Sequence, residues 1–460
     1  MRGASSRRAV LTPIGLAILV ACSFSRELTV RPHELLKPLP QGFVNSYNVE
    51  EQLARGYVPE VLEYFDTAGN RSADSARAAR LLGRALLERG DFRGCRPYLE
   101  RVLAQNGRAS ERADAAWLLS QSAYWQGDFG AAARWGRAAQ NEGRRVPDGW
   151  IAFLASRPGE RPYGGASAGE RLSSPFGFGR PNLVRVSVRV NEKPAETLVL
   201  DSGASLSLLT ESAARRLGIE LVPGAETVAW GLHQVEFPLK LGWARSLTIG
   251  GLTLHDVPFG VLPDGTLTFE TASVGSFTIP GVIGAHLMKE FDWRISYQER
   301  RLWAVRLDPG ITRGSKGQNL FVRRLKPMVR VSFNQKPWSL FLLDTGSEPT
   351  MVTRSGLRRG RFGEFEAAFP MTLEGIGKSR VSWAKISDVT VGLDRFMVRF
   401  RNLVVKEEAD AVEDGVVGSS FLSNFDVEIR FGAMTVSLEN PLQKLLREPG
   451  PPVPPGVPRG

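Results

Sequence analysis

Two hydrophobic periods divide the chain. Between about residues 43 and 155, apolar and small residues recur at helical spacing among arginines and glutamates, and this predicts helices. Arg80-Leu81-Leu82 through Leu87 and Ala116-Trp117-Leu118 through Trp125 read as equivalent helices. From residue 182 the period falls to two. Val184, Val186, Val188 and Val190 alternate with Arg185, Ser187 and Arg189, which predicts a strand with one buried face. Asn191-Glu192-Lys193-Pro194 then turns the chain into Thr197-Leu198-Val199-Leu200, a hairpin that ends on Asp201. Short strands and glycine turns continue to residue 308, and a second all-β stretch covers 319–441. The Pro/Gly/Ser-rich segment 156–181 reads as a linker, 23–42 as a flexible spacer and 442–460 as a disordered tail. The expected fold class is therefore multidomain: an all-α solenoid over 43–155, then an all-β domain of two lobes, 182–308 and 319–441. With 460 residues, each part is long enough to bury a core.

The helical stretch repeats itself. Gly56-Tyr57, Gly90-Asp91-Phe92 and Gly127-Asp128-Phe129 mark turns spaced 34 (90 − 56) and 37 (127 − 90) residues apart. Helix, glycine turn and second helix at about 34 residues resembles the tetratricopeptide repeat. That resemblance implies a concave groove for a peptide or protein partner. A purely structural helical spacer is the other reading.

The β region repeats too, and its repeat carries chemistry. Leu198-Val199-Leu200-Asp201-Ser202-Gly203-Ala204 returns as Phe341-Leu342-Leu343-Asp344-Thr345-Gly346-Ser347. Asn-x-Lys-Pro begins ten residues before each acid (201 − 191 and 344 − 334). Val282-Ile283-Gly284 and Val416-Val417-Gly418 follow, each with a Phe-Asp pair starting seven residues after the glycine (291 − 284 and 425 − 418). One Asp-Ser/Thr-Gly is ordinary turn sequence. Two in matching positions of two copies resemble the retropepsin/pepsin-type aspartic proteases, here as two fused lobes pairing within one chain.

The resemblance implies that Asp201 and Asp344 form a catalytic dyad needing no metal or cofactor. Two carboxyls a few ångströms apart share one proton, so one member activates a water and the other donates to the scissile carbonyl. Ser202 and Thr345 would lock the loops across the lobe interface, with Gly203 and Gly346 allowing close packing. Ala204 in one copy and Ser347 in the other suggest that a Ser347 hydroxyl stabilises an ionised Asp344, leaving Asp201 protonated. Covering flaps are expected at Trp230-Gly231 and at Gly375-Ile376. Glu348, directly after the second loop, reads as solvated. The expected activity is a membrane-anchored aspartic endopeptidase acting on a polypeptide of the cell envelope, with the repeats recruiting substrate or partner. The rivals are a non-catalytic scaffold binding peptides through repeats and lobes, and lobes that pair between chains.

Charge and termini refine this picture. The net charge of +11 would suit an acidic partner, but no nucleic-acid motif accompanies it, so no nucleic-acid partner is expected and a solvated basic surface is preferred. Arg2, Arg7 and Arg8 precede the apolar run Ala9 to Ala21, too short for an ordinary span. Leu19-Val20-Ala21-Cys22 resembles the bacterial lipoprotein signal, which implies lipidation of Cys22 after removal of the signal peptide. Ser23 then implies the outer membrane, facing the periplasm. Cys95 alone remains and cannot form an internal disulfide. His33, His233, His255 and His286 have no metal-ligand spacing. Gly165-Ala166-Ser167-Ala168-Gly169 matches a serine-hydrolase elbow in letters only, without the strand and helix that elbow needs.

Overall fold

The computed structural model describes residues 28–32, 43–67, 75–105, 107–157, 159–178, 182–230, 236–271, 275–308, 317–334, 336–359, 369–375, 377–406 and 413–441. Cys22 with the signal segment, most of the spacer, Gly231, Ile376 and the tail 442–460 lie outside them.

Among the described residues seven helices lie between 49 and 155: α1 (Val49–Ala54), α2 (Val58–Thr67), α3 (Ala76–Glu88), α4 (Arg96–Ala104), α5 (Ala109–Trp125), α6 (Phe129–Asn141) and α7 (Asp148–Ala155). Side chains cap two of them, with Ser75 Oγ accepting from the Ala78 amide at 3.1 Å and Asp128 Oδ1 from the Ala131 amide at 2.8 Å. The repeated glycines end α1, α3 and α5 in the left-handed region, with φ of 90° at Gly56, 88° at Gly90 and 79° at Gly127. Each stop carries the same pair of bonds. Gly90 N–H donates to Leu87 O and Asp91 N–H to Leu86 O, as Gly127 does to Tyr124 and Asp128 to Ala123. Consecutive helices pack as pairs, and α3 lies against both α1 and α5.

The helices dock on both lobes. Against the first, Trp243 and Phe153 stack at 5.0 Å and Trp243 Nε1 donates to Ser156 Oγ at 3.1 Å. Arg157 pairs with Asp256. Against the second, Arg323 donates to Glu88 Oε2 at 2.6 Å and to the carbonyls of Leu53 and Ala54 at 2.6 and 2.7 Å. Arg330 pairs with Glu60 at 2.8 Å. Arg306, Arg323 and Arg330 are thus buried, so part of the arginine surplus is structural rather than a solvated surface.

Among the described residues the β region forms two large sheets and a separate two-stranded one, Thr268–Thr271 with Gly275–Thr278. In the second lobe, the strands Lys326–Phe333, Lys336–Leu343, Gly415–Val417, Met351–Thr353 and Phe396–Lys406 follow one another across the sheet. Its edge corrects the spacer expectation: Leu28–Pro32 is a strand, antiparallel to Phe396–Lys406, with Leu28 facing Phe400 and Pro32 facing Phe396. Proline at the end of an edge strand leaves no ladder bond unmade.

The first-lobe sheet does not stop at the lobe. The C-terminal hairpin Asp426–Arg430 and Thr435–Glu439 joins Phe291–Ser296, so strands from both lobes share one sheet. That sheet contains a further correction. Arg171–Gly177, inside the expected linker, is a strand between Arg301–Arg306 and Arg185–Val190, with Leu172, Ser174 and Phe176 facing inward. The 165–169 stretch is irregular, as expected, with a left-handed Gly165 at φ 89°.

Candidate active site

Each acid is delivered by the same local arrangement. Glu196–Asp201 runs antiparallel to Arg185–Val190 on one side and parallel to Gly281–Gly284 on the other, where Gly284 faces Asp201. Lys336–Leu343 has the same neighbours in the second lobe, with Leu343 facing Val417. Glycine is required beneath each loop. A Cβ on Gly284 would stand 2.4 Å from Leu206 O, and one on Gly418 would stand 2.3 Å from Pro349 O. Leu206 and Pro349 each lie five residues after their acid. Ala285 N–H donates to Ala204 O at 2.7 Å, and Ser419 N–H to Ser347 O at 2.8 Å.

The two loops then close on each other. Ser202 Oγ donates to Leu343 O at 2.7 Å, and Thr345 Oγ1 donates to Leu200 O at 2.7 Å. The same hydroxyls accept in return: Ser202 N–H reaches Thr345 Oγ1 at 3.0 Å and Thr345 N–H reaches Ser202 Oγ at 3.1 Å. Each glycine lies under the other lobe's acid. A Cβ on Gly203 would be 2.4 Å from Asp344 Oδ2, and one on Gly346 would be 2.5 Å from Asp201 Oδ1. Ser202, Thr345, Gly203 and Gly346 thus come together where the two loops meet.

Asp201 and Asp344 are both fully buried, each over the other lobe's loop glycine. Asp201 Oδ1 accepts from the Gly203 and Ala204 amides at 2.9 and 3.1 Å, and Asp344 Oδ1 accepts from the Gly346 amide at 2.9 Å. Burial, and next the neighbouring Asp344 charge, push the Asp201 carboxyl well above the ordinary carboxylate range; the Ala204 amide opposes them. Such a pair holds one proton between its members.

Two expectations are corrected here. Ser347 Oγ donates to the Pro349 carbonyl at 3.0 Å, so its single proton is spent away from Asp344. Ser347 Oγ therefore gives no reason for Asp344 to be the ionised member. Glu348 is not a solvated loop carboxylate either. Its Oε1 accepts from Asn182 Nδ2 of the first lobe at 2.9 Å.

The hairpins expected to bear flaps are present. Trp230 ends the strand Glu220–Trp230 and faces Glu236 of Glu236–Ile249. Gly375 ends Phe369–Gly375 and faces Gly377. The tip residues Gly231 and Ile376 fall outside the described residues.

Other candidates are structural. Cys95 is buried, and burial pushes its thiol up to about 12. His286, which no sequence pattern singled out, is sealed between helices and first lobe. Its Nε2 donates to Tyr124 O at 2.8 Å, and Nδ1 accepts from Tyr163 OH at 2.9 Å. Burial, then the Lys289 charge, hold it well below the ordinary imidazole value. Among the described residues no group of three or more His, Cys, Asp or Glu is placed to hold a metal ion.

The family model for aspartyl proteases matches residues 186–286, which spans the first acid loop and the glycine strand beneath it. Among solved structures, an aspartic proteinase from Irpex lacteus is 12% identical, with a TM-score of 0.36, over 59% of this chain and 98% of that one. A retropepsin-like aspartic protease from Rickettsia conorii is 20% identical, with a TM-score of 0.21, over 29% of this chain and 90% of that one. No curated protein matches the chain. The first lobe is similar to the aspartyl proteases in sequence, and the second lobe repeats its loop geometry.

Proposed function

We propose that the chain is an aspartic endopeptidase whose dyad, Asp201 and Asp344, is assembled from the two lobes of one molecule. One observation carries this reading: two fully buried carboxyls each lie against the other loop's glycine while Ser202 and Thr345 tie the loops together reciprocally. Asp201 holds the shared proton and Asp344 is ionised. Asp344 takes a proton from water as the water oxygen bonds to the scissile carbonyl carbon, and Asp201 protonates the carbonyl oxygen. Breakdown of the resulting diol breaks the C–N bond. The leaving nitrogen takes the proton held by Asp344, and a diol proton returns to Asp201. The chemistry needs no metal or cofactor.

The helix pairs are read as a tetratricopeptide-like array. Its docking on both lobes supports a bracing role in addition to the recruitment of substrate or partner. The Cys22 sequence supports a lipid anchor in a bacterial envelope, at the outer membrane and facing the periplasm. Strand Leu28–Pro32 begins six residues after Cys22 (28 − 22), a reach of at most about 20 Å, so the second lobe's edge would ride close to the bilayer. Retained incorporation of a labelled fatty acid in Cys22→Ala would remove the anchor from the proposal.

The deciding experiment is cleavage of a peptide library, read by mass spectrometry from pH 3 to 8, beside Asp201→Asn and Asp344→Asn. Loss of cleavage in both variants is expected. Cleavage that survives both would refute the dyad, and a folded chain inert in every form would favour a peptide-binding scaffold.

A further inference from the structure

The two copies differ where the strand before each acid-bearing strand comes level with the acid. In the first lobe Arg185 faces Val199, and extending that register by two residues brings Leu183 level with Asp201. Leu183 is buried. In the second lobe Met328 faces Leu342, and the same extension brings Lys326 level with Asp344. Facing residues on antiparallel strands send their side chains to one side of the sheet. Lys326 is therefore a cation on the dyad's side, half-buried rather than sealed.

The turn beside it adds a second cation. Arg323 pairs with Lys326 around Arg324 and Leu325, whose φ values are 50° and 61°. Turns with two left-handed residues ordinarily use Asn-Gly, and the conformation is strained for Arg-Leu. Strain of this kind gathers at functional sites, and here it leaves Arg324 exposed.

The local charge is short of anions. Arg84 and Arg323 share Glu88, and Arg144 is paired with Asp114. Among the described residues, neither Arg324 nor Lys326 has a side-chain ion pair. Burial holds Lys326 below its ordinary value, and Glu413 pulls it back up. Arg84, Arg323 and Arg144 repel the Arg324 charge, and Lys406 repels that of Lys326, which also feels both members of the dyad.

We propose that Lys326 and Arg324 form a carboxylate-selecting subsite beside the dyad, so that the preferred substrate is a polypeptide with an acidic group at one fixed place near the scissile bond. The inference rests on the endopeptidase reading and adds the substrate class to it. The carboxylate comes from an Asp or Glu side chain or from a substrate C-terminus.

The test uses the full chain and fluorogenic decapeptides in which each position in turn is Glu, Gln or Lys, each made with a free and an amidated C-terminus. At one position, kcat/KM for Glu should exceed that for Gln by about tenfold, as for a partly desolvated charge pair. The Lys326→Glu variant should invert the order, favouring Lys at that position. Where that variant does not fold, Lys326→Gln should at least abolish the preference. A preference lost only on amidation assigns the carboxylate to the substrate C-terminus. Equal rates for Glu and Gln everywhere, in peptides of both C-terminal forms, overturn the subsite and leave the endopeptidase standing. A preference untouched by either substitution does the same. If no form cleaves, the endopeptidase reading fails separately. Fluorescence anisotropy of the labelled decapeptides on Asp201→Asn then decides the subsite: tighter Glu binding supports it and equal binding overturns it.

Discussion

Replacing Glu88 with glutamine tests whether the helices brace the second lobe. Glu88 is almost wholly buried and bonds two guanidiniums, Arg84 at 2.8 Å and Arg323 at 2.6 Å. Their fates differ in the variant. The Arg84 side chain is 27% exposed and can turn to water, whereas Arg323 is 4% exposed and keeps only the carbonyls of Leu53 and Ala54. The loss is therefore mainly that of one stranded buried charge, about 3 kcal/mol from the usual cost of breaking a buried pair. Glutamine preserves the shape, so packing contributes little. The pH dependence provides a second check. Burial alone would raise the Glu88 carboxyl, but Arg323 and Arg84 more than reverse this, so it lies below the ordinary value. Its contribution is then complete above the unfolded-state pKa and fades as pH falls through the lower folded value. Urea unfolding followed by tryptophan fluorescence should show the full gap between wild type and variant at pH 7, narrowing only below about pH 4.5. A loss under about 1 kcal/mol at pH 7, or a gap that widens on acidification, would refute the bracing argument.

The remaining expectations concern the dyad. Thr345→Val strips an acceptor from the buried Ser202 amide and a donor from Leu200 O, which should cost about 2–4 kcal/mol in urea unfolding while Thr345→Ser costs little; equal losses would count against the lock. Gly346→Ala forces a methyl within 2.3 Å of Asp201 Cγ and should abolish cleavage, whereas Gly164→Ala meets nothing within 4 Å and should be silent in the same assay. The raised Asp201 carboxyl binds its proton more tightly folded than unfolded, so wild-type stability falls as pH rises from the ordinary carboxylate value upward. Asp201→Asn should consequently gain stability relative to wild type between pH 4 and 7, and a flat difference in melting temperature would contradict this. Ser347→Ala should leave the pH–rate profile in place, because that hydroxyl serves Pro349; a displaced acid limb would restore a bond to Asp344.

What could be read in advance follows from where each partner lies in the chain. The acid loops were legible because the sequence contains its own comparison: two copies agree in acid, hydroxyl, glycine and the strand beneath. The same comparison carries into three dimensions, where positions five after each acid meet the glycine strand in both lobes. The repeated glycines of the helical region were legible for the same reason, and all three sit at left-handed helix stops. Features with a single copy and a distant partner were not. Arg171–Gly177 turns only Leu172, Ser174 and Phe176 inward, too little apolar alternation to stand out from a linker. Leu28–Pro32 pairs with residues more than 360 positions away (396 − 32), and Glu348 with Asn182 at a separation of 166. Ser347 failed differently, since a hydroxyl has several acceptors in reach and only the folded loop selects Pro349.

The arginines join these threads. Counted along the sequence they form a basic surplus, and in the fold they divide by role. Arg323 and Arg330 are consumed by Glu88 and Glu60 of the helices, which hold the second lobe to them. One residue beyond Arg323, Arg324 is turned outward by a strained hairpin, and Lys326 follows on the dyad's side. The four-residue turn therefore faces two ways, anchored into the helical domain at one end and presenting charge beside the acids at the other. A bracing contact placed so near the dyad links the two halves of the molecule: whatever loosens Glu88 from Arg323 should also misplace Lys326. The selectivity of Glu88→Gln toward acidic peptides should then fall together with its stability.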